Sequence, residues 1–174
     1  MRWRASGHKV ITTWANTLDI VSRVKAGEAT DLAVMSGNAI DALIAAGKFA
    51  KGSRTDVATS WVAMAVKQGA PKPDISSAEA LKRAMLAAQS IAYSTGASVA
   101  RGEIEIGFQQ MSELMPVPGI DIVGGLSKDI EEVTFFATGR HAHTRVAEAA
   151  NALTAFFKAP AAHAIIRAKG MEPV

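Results

Sequence analysis

The chain has 174 residues, enough for one ordinary domain or two small lobes, and its 49% hydrophobic and 20% charged residues make it globular rather than disordered. Its 19 Lys and Arg against 16 acidic residues leave a scattered surplus of +3, and with 6% aromatic residues this argues against nucleic acid as a partner. There is no cysteine, which excludes a disulfide framework, a thiolate nucleophile and a cysteine metal site, and no apolar run reaches membrane-spanning length.

Leu18, Val21 and Val24 recur at helical spacing between Thr17 and Ala26, and Gly27 is a natural stop. Asp31 to Met35 is a short apolar run that suits a strand buried on both faces. Ser36, Gly37 and Asn38 follow as a polar turn, and Ile40, Leu43 and Ile44 mark one face of a helix ending near Gly47. Lys48 to Thr55 is a basic loop. Val57 to Lys67 alternates, with Val62, Met64 and Val66 on one side, which predicts a longer strand. Gly69 to Asp74, GAPKPD, is a rigid extended connection and the candidate crossover between lobes. Ser76 and Glu79 make a capping-box signature for a helix through Ala88, with Leu81, Met85 and Ala88 facing inward.

Ser90 to Tyr93 is a second short strand, ending in the polar turn Ser94, Thr95 and Gly96. Gly102 stops a helix, and Ile104, Ile106 and Phe108 alternate with Glu103, Glu105 and Gly107 as a third strand. Two amides, Gln109 and Gln110, end it, and Met111 can begin another helix. Pro116 to Gly119 is a turn, Ile120 to Val123 and Val133 to Ala137 are strands, and Arg145 to Lys158 is an amphipathic helix through Val146, Ala149, Leu153 and Phe156. Pro160 starts a final helix that stops at Gly170.

The recurring device is an apolar strand followed by small polar residues at a helix start. It occurs at Ser36 to Asn38, at Ser94 to Gly96 and at Gln109 with Gln110. Helix N-termini leave free N–H donors and carry partial positive charge, so such loops suit a small anion. Helix capping is the simpler account of any one of them, and only the three together bring a shared site level with it. His141 and His143 form an HAH pair without the carboxylates or cysteines of a closed metal site, and a solvated loop before the long helix is the expected setting. No serine lies in a GxSxG elbow and no Walker sequence is present, so nothing names a reaction.

Longer phrases carry a resemblance. ASGHKVITTWANTLDI, KAGEATDLAVMSGNAIDALIAAGK, GAPKPDISSAEALKRAMLAAQSIAYSTGAS, ARGEIEIGFQQMSEL and FFKAPAAHAIIRAKGMEP together resemble extracellular solute-binding proteins of the molybdate-binding type. The resemblance implies an α/β, type II periplasmic-binding-protein-like fold of two lobes that captures a small anion for an ABC permease in the periplasm. Ser36 matches the serine after the family's second strand, Thr95 to Ser98 match a loop presenting backbone N–H groups, and Gln110 stands where molybdate binders often have Tyr. In the family a strand and a Ser-containing loop would precede Arg4, and several tens of residues would separate Ser98 from Val99. This chain is thus expected to have a truncated second lobe, and it shows no secretory leader. Trp61 takes a place where the family tends to have a small residue.

The expected organisation is a discontinuous first lobe of residues 1–71 and 117–174 and a reduced second lobe of residues 72–116. The expected activity is non-catalytic capture of a small oxyanion or organic anion, without cofactor or metal. The residues expected to bind are Ser36, Gly37, Asn38, Ser94, Thr95, Gly96, Gln109 and Gln110, with Ser36, Thr95 and Gln110 facing one cleft. The alternatives are an effector-sensing domain of the same fold, a degenerate remnant that binds nothing, and an acid–base or hydrolytic enzyme using Ser94 or His141. Loss of a strand and part of the second lobe would bare Ile91, Tyr93, Ile104, Ile106 and Phe108; either a homodimer formed by strand addition or segment exchange would cover them, or the remaining helices of a monomer would shift to close the gap.

Overall fold

The structure, a computed structural model, describes residues 7–93 and 96–174. In chain order the elements are α1 (Thr17–Lys25), β1 (Leu32–Ser36), α2 (Gly37–Ala45), β2 (Thr55–Lys67), α3 (Ala78–Ala87), β3 (Ile91–Tyr93) and α4 (Gly96–Arg101). Then come β4 (Ile106–Gln110), α5 (Met111–Leu114), β5 (Ile120–Gly125), β6 (Val133–Arg140), α6 (Ala147–Phe157), α7 (Pro160–Ala168) and β7 (Glu172–Pro173). The chain divides into two compact units. Unit 1 is Met1–Ala58, Phe135–Ile165 and Pro173–Val174; unit 2 is Thr59–Thr134 and Ile166–Glu172. These boundaries cut β2 and β6 in mid-strand, whereas the sequence places them in the Gly69 to Asp74 connection and near Pro116. The far half of β2 is claimed by its hydrogen bonds to β4 and β5, which no local signal announces.

In unit 1, α1 begins at Asn16, whose Oδ1 accepts the Asp19 N–H at 2.9 Å. β1 pairs antiparallel with β6, Leu32 opposite Arg140 and Ser36 opposite Phe136. Ala33 and Met35 are buried while Val34 is 45% exposed, so β1 is buried on one face and not on both. It stands at the end of the strand order, where alternation is the rule for a half-covered strand. The core of this unit gathers Val24, Met35, Ile40, Leu43, Phe49 and Ala137. Gly139 lies under it. A Cβ there would sit 2.6 Å from Phe49 and 2.8 Å from Ile40.

In unit 2, β2 runs antiparallel to β4, Val62 opposite Gln110 and Val66 opposite Ile106, and antiparallel to β5. The parallel β3 forms the far edge, Tyr93 opposite Phe108. Val62, Met64, Val66, Leu81, Ile106 and Phe108 pack together, while the alternate residues Ala63 and Ala65 pack with Leu114. A strand covered on both faces reads as a continuous apolar run, which fits this part of β2. Ser77, not Ser76, caps α3, its hydroxyl accepting the Ala80 N–H at 3.2 Å. Of the residues expected to face inward, Leu81 is buried and Ala88 packs against the core, whereas Met85 is 38% exposed; Ala80 is the helix's other buried residue. Val146, expected on the inner face of α6, is likewise 48% exposed and precedes the helix.

Of the five side chains that a dimer would cover, Ile106 and Phe108 are buried within the chain and Ile104 is half-buried. Ile91 and Tyr93 are exposed, at 39% and 60%. Packing in unit 2 therefore already supplies most of the cover that the sequence argument sought elsewhere. At Gly125 a Cβ would meet the Trp61 ring at 2.9 Å, so that glycine makes room for the indole. Gly102 ends α4 with φ +77°, a left-handed conformation that favours glycine.

Candidate functional site

In unit 1 the sequence-predicted residues Ser36, Gly37 and Asn38 sit where β1 turns directly into α2. Ser36 takes the N-cap position with φ −56° and ψ 139°, and its side chain makes no capping hydrogen bond. The first N–H groups of α2 are thus not satisfied by the residue placed to do so. Gly37 is buried and Asn38 exposed. Arg54, from the basic loop that the sequence left without a role, lies against this turn. A Cβ at Gly37 would be 2.5 Å from the Arg54 guanidinium, so only glycine admits that approach. The guanidinium pairs with Asp56 at 2.9 Å and with Asp41 on α2. The Asp56 hydrogen bond, above all, raises Arg54 beyond its ordinary value. Two carboxylates thereby hold a cation beside a helix N-terminus, a position that alone would repel it.

In unit 2 the predicted residues are joined through Gln109. Its Oε1 accepts the Gly96 N–H at 3.3 Å, and its Nε2 donates to Glu113. Gly96 is packed so closely that a Cβ would reach Val117 at 3.2 Å. Gln110 takes the N-cap position of α5 with φ −55° and ψ 136°, again without a side-chain cap. Its Nε2 donates to the Thr134 hydroxyl at 2.8 Å, while its Oε1 is buried with no partner among the described residues. A buried, unpaired amide atom is costly, and such atoms gather where a ligand belongs. Nearby in the same unit, the fully buried Ser60 hydroxyl lies 3.5 Å from that of Ser112. Ser94 and Thr95 lie outside the described residues.

Arg54, Thr134, Ser60 and Ser112 escaped the sequence reading. Arg54 meets Gly37, Thr134 meets Gln110 and Ser60 meets Ser112 across long stretches of chain, and none carries a motif. The HAH pair lies before α6 as expected, with His143 exposed in a turn; His141 is bridged to Phe49 and half-buried, and its Nδ1 accepts the His143 N–H at 3.3 Å. Among the described residues no three His, Cys, Asp or Glu side chains gather as a metal site. None of the described helices is long and apolar enough to cross a membrane.

Comparisons with known proteins bear on this geometry. The family of bacterial extracellular solute-binding proteins matches residues 3–100 and 89–172. Aconitate isomerase from a Pseudomonas species is 38% identical over 188 residues, covering 89% of this chain and 72% of that protein. The alignment is longer than the chain, so the relative carries residues that have no counterpart here. The two family segments meet across residues 89–100, around β3 and α4. Among solved structures, the periplasmic molybdate-binding protein of Azotobacter vinelandii superposes with a TM-score of 0.75 at 16% identity, over 97% of this chain and 89% of that one. The sulfate-binding protein of Mycobacterium tuberculosis gives 0.76 at 16% identity, over 99% of this chain and 78% of that one. The chain therefore belongs to the bacterial extracellular solute-binding proteins and has the α/β fold of the type II periplasmic binding proteins.

Proposed function

We propose that this protein captures a small anion by hydrogen bonding, as the binding component of an ABC importer, without turning it over. The observation that carries this reading is the orphaned amide of Gln110 at a junction built like that of Ser36. Turning the amide over gives its oxygen to the Thr134 hydroxyl and leaves an NH2 group unpaired, a donor suited to an anion. Ser36, Gly37 and Asn38 would contribute a hydroxyl, backbone N–H groups and an amide in unit 1. In unit 2, Gln110 would contribute its amide, with Gly96 and Gln109 setting the neighbouring turn. Ser94 and Thr95 join this set by family resemblance. The periplasmic location and the permease partner rest on the relatives alone.

An organic carboxylate is favoured over a tetrahedral oxyanion as the ligand. The relative at 38% identity is named for aconitate, whereas the molybdate- and sulfate-binding neighbours, at 16%, share the fold only. That relative's name also supports a second reading, in which the chain isomerises the acid it binds. Calorimetry with aconitate, molybdate and sulfate, followed by proton NMR of aconitate with the protein in D2O, separates these readings. Saturable aconitate binding without conversion supports the proposal. Conversion of one isomer into the other establishes the enzyme, and no binding of any of the three removes them as ligands and counts against the proposal.

A further inference from the structure

The geometry points to a second anion site, in unit 1, at the opposite end of β1 from Ser36. Arg140 pairs with Leu32 while Ser36 pairs with Phe136. Four residues of strand therefore separate the two places, roughly 13 Å at about 3.3 Å per residue. Here a cavity of about 380 Å³ opens between the loop at Lys51 to Thr55, the end of β6 and the C-terminal half of α6. Its charged lining residues are Lys51, Arg140 and Lys158, and no carboxylate lines it. The acid nearest in sequence, Asp56, is held by Arg54.

The side chains are arranged for a ligand rather than for one another. Ser53 fixes the wall through the Arg140 backbone, accepting its N–H at 3.1 Å and donating to its carbonyl at 3.4 Å. The Arg140 Nε is buried and has no hydrogen-bond partner among the described residues. Lys158 donates at 3.4 Å to the Asp56 carbonyl, which steadies its ammonium without neutralising it. Thr154 donates to the Thr138 hydroxyl at 3.3 Å, so its proton is engaged inward. Arg140, the two lysines and the Asn151 amide remain to face an occupant. One guanidinium and two ammonium groups among the lining side chains, with no carboxylate, suit a compact oxyanion with two negative charges, of the phosphate or sulfate type.

The test is a titration of isotope-labelled protein with sodium phosphate at constant ionic strength, followed by backbone amide NMR. Saturable shifts at Gly52, Ser53, Arg140 and Thr154 are expected. Arg140→Gln and Lys158→Gln should each weaken that response about tenfold or more, the loss of one charge-assisted bond, and leave the Ser36 and Gly37 resonances as they were. Lys158 is exposed, so its variant keeps the test valid should Arg140→Gln disturb the fold. Shifts that fail to saturate, that chloride reproduces, or that survive both substitutions would overturn the site.

Discussion

Ser36 and Gln110 occupy the same backbone conformation, φ −56° with ψ 139° and φ −55° with ψ 136°, 74 positions apart in the sequence. Each is the last residue of a five-residue strand and the N-cap of the helix that follows at once, and neither spends its side chain on that helix. Ser is among the preferred N-cap residues because its oxygen accepts a helix N–H. At Ser36 that bond is not made, so the first N–H groups of α2 do not receive the cap that their own N-cap residue could supply.

Gln110→Leu keeps the side chain's bulk and removes its polar end. With the anion that calorimetry identifies, affinity is expected to fall by roughly ten- to a hundredfold, the loss of a hydrogen bond to a charged group at about 1.5–3 kcal/mol. Thermal stability should change little, because the orphaned buried amide atom and the hydrogen bond to Thr134 are removed together. Unchanged affinity would remove Gln110 from the site.

Molybdate is expected to bind weakly or not measurably. The relative that aligns over 188 residues carries segments absent here, and the family match is split around β3 and α4. Two or three lost donors at about 1–3 kcal/mol each cost several orders of magnitude in affinity. A submicromolar constant by calorimetry would overturn this expectation.

Gly37→Ala should destabilise the protein by about 1–3 kcal/mol, as overpacking does, because its methyl would meet the Arg54 guanidinium. The carboxylates of Asp41 and Asp56 tether that group, so it cannot simply swing away. A double-mutant cycle with Arg54→Ala checks the cause: urea denaturation should show the cost of Gly37→Ala shrinking when Arg54 is gone. Additive losses would mean that the clash lies elsewhere.

Acid should destabilise the fold through exposed carboxyls, Glu28, Glu103 and Asp74 among them. Hydrogen bonds from Arg23 hold Glu28 below the usual carboxylate value of 4.5, those from Arg101 do the same for Glu103, and the Ser76 N–H lowers Asp74 from 3.8. A depressed folded value means that their contribution is complete above the ordinary value and lost as pH falls through the folded one. The thermal midpoint contributed by these groups should fall only below about pH 4.5, and less steeply in high salt. A midpoint that rises on going from pH 4.5 to pH 3 would contradict the sign.

Light scattering at micromolar concentration is expected to show a monomer. The free edge at β3 is three residues long, and short edge strands pair poorly. A dimer that dissociates on Tyr93→Lys would instead place the contact at that edge, where Tyr93 is 60% exposed.

Much of this protein could be read along the chain. Apolar spacing located the helix at Leu18 to Val24 and the long strand ending at Lys67, because both periods are properties of consecutive residues. The Ser36 to Asn38 and Gln109 to Gln110 turns stood out as polar residues between an apolar strand and a helix. The family was written in phrases spread over nearly the whole sequence. What only the tertiary structure decided are contacts between distant residues. β1 pairs with β6 about a hundred residues away, Arg54 presses on Gly37, Thr134 takes the Gln110 amide, and Arg140 shares a cavity with Lys51 and Lys158. Strand register and burial set those contacts, and both depend on which surfaces meet, a property that no local run of residues encodes.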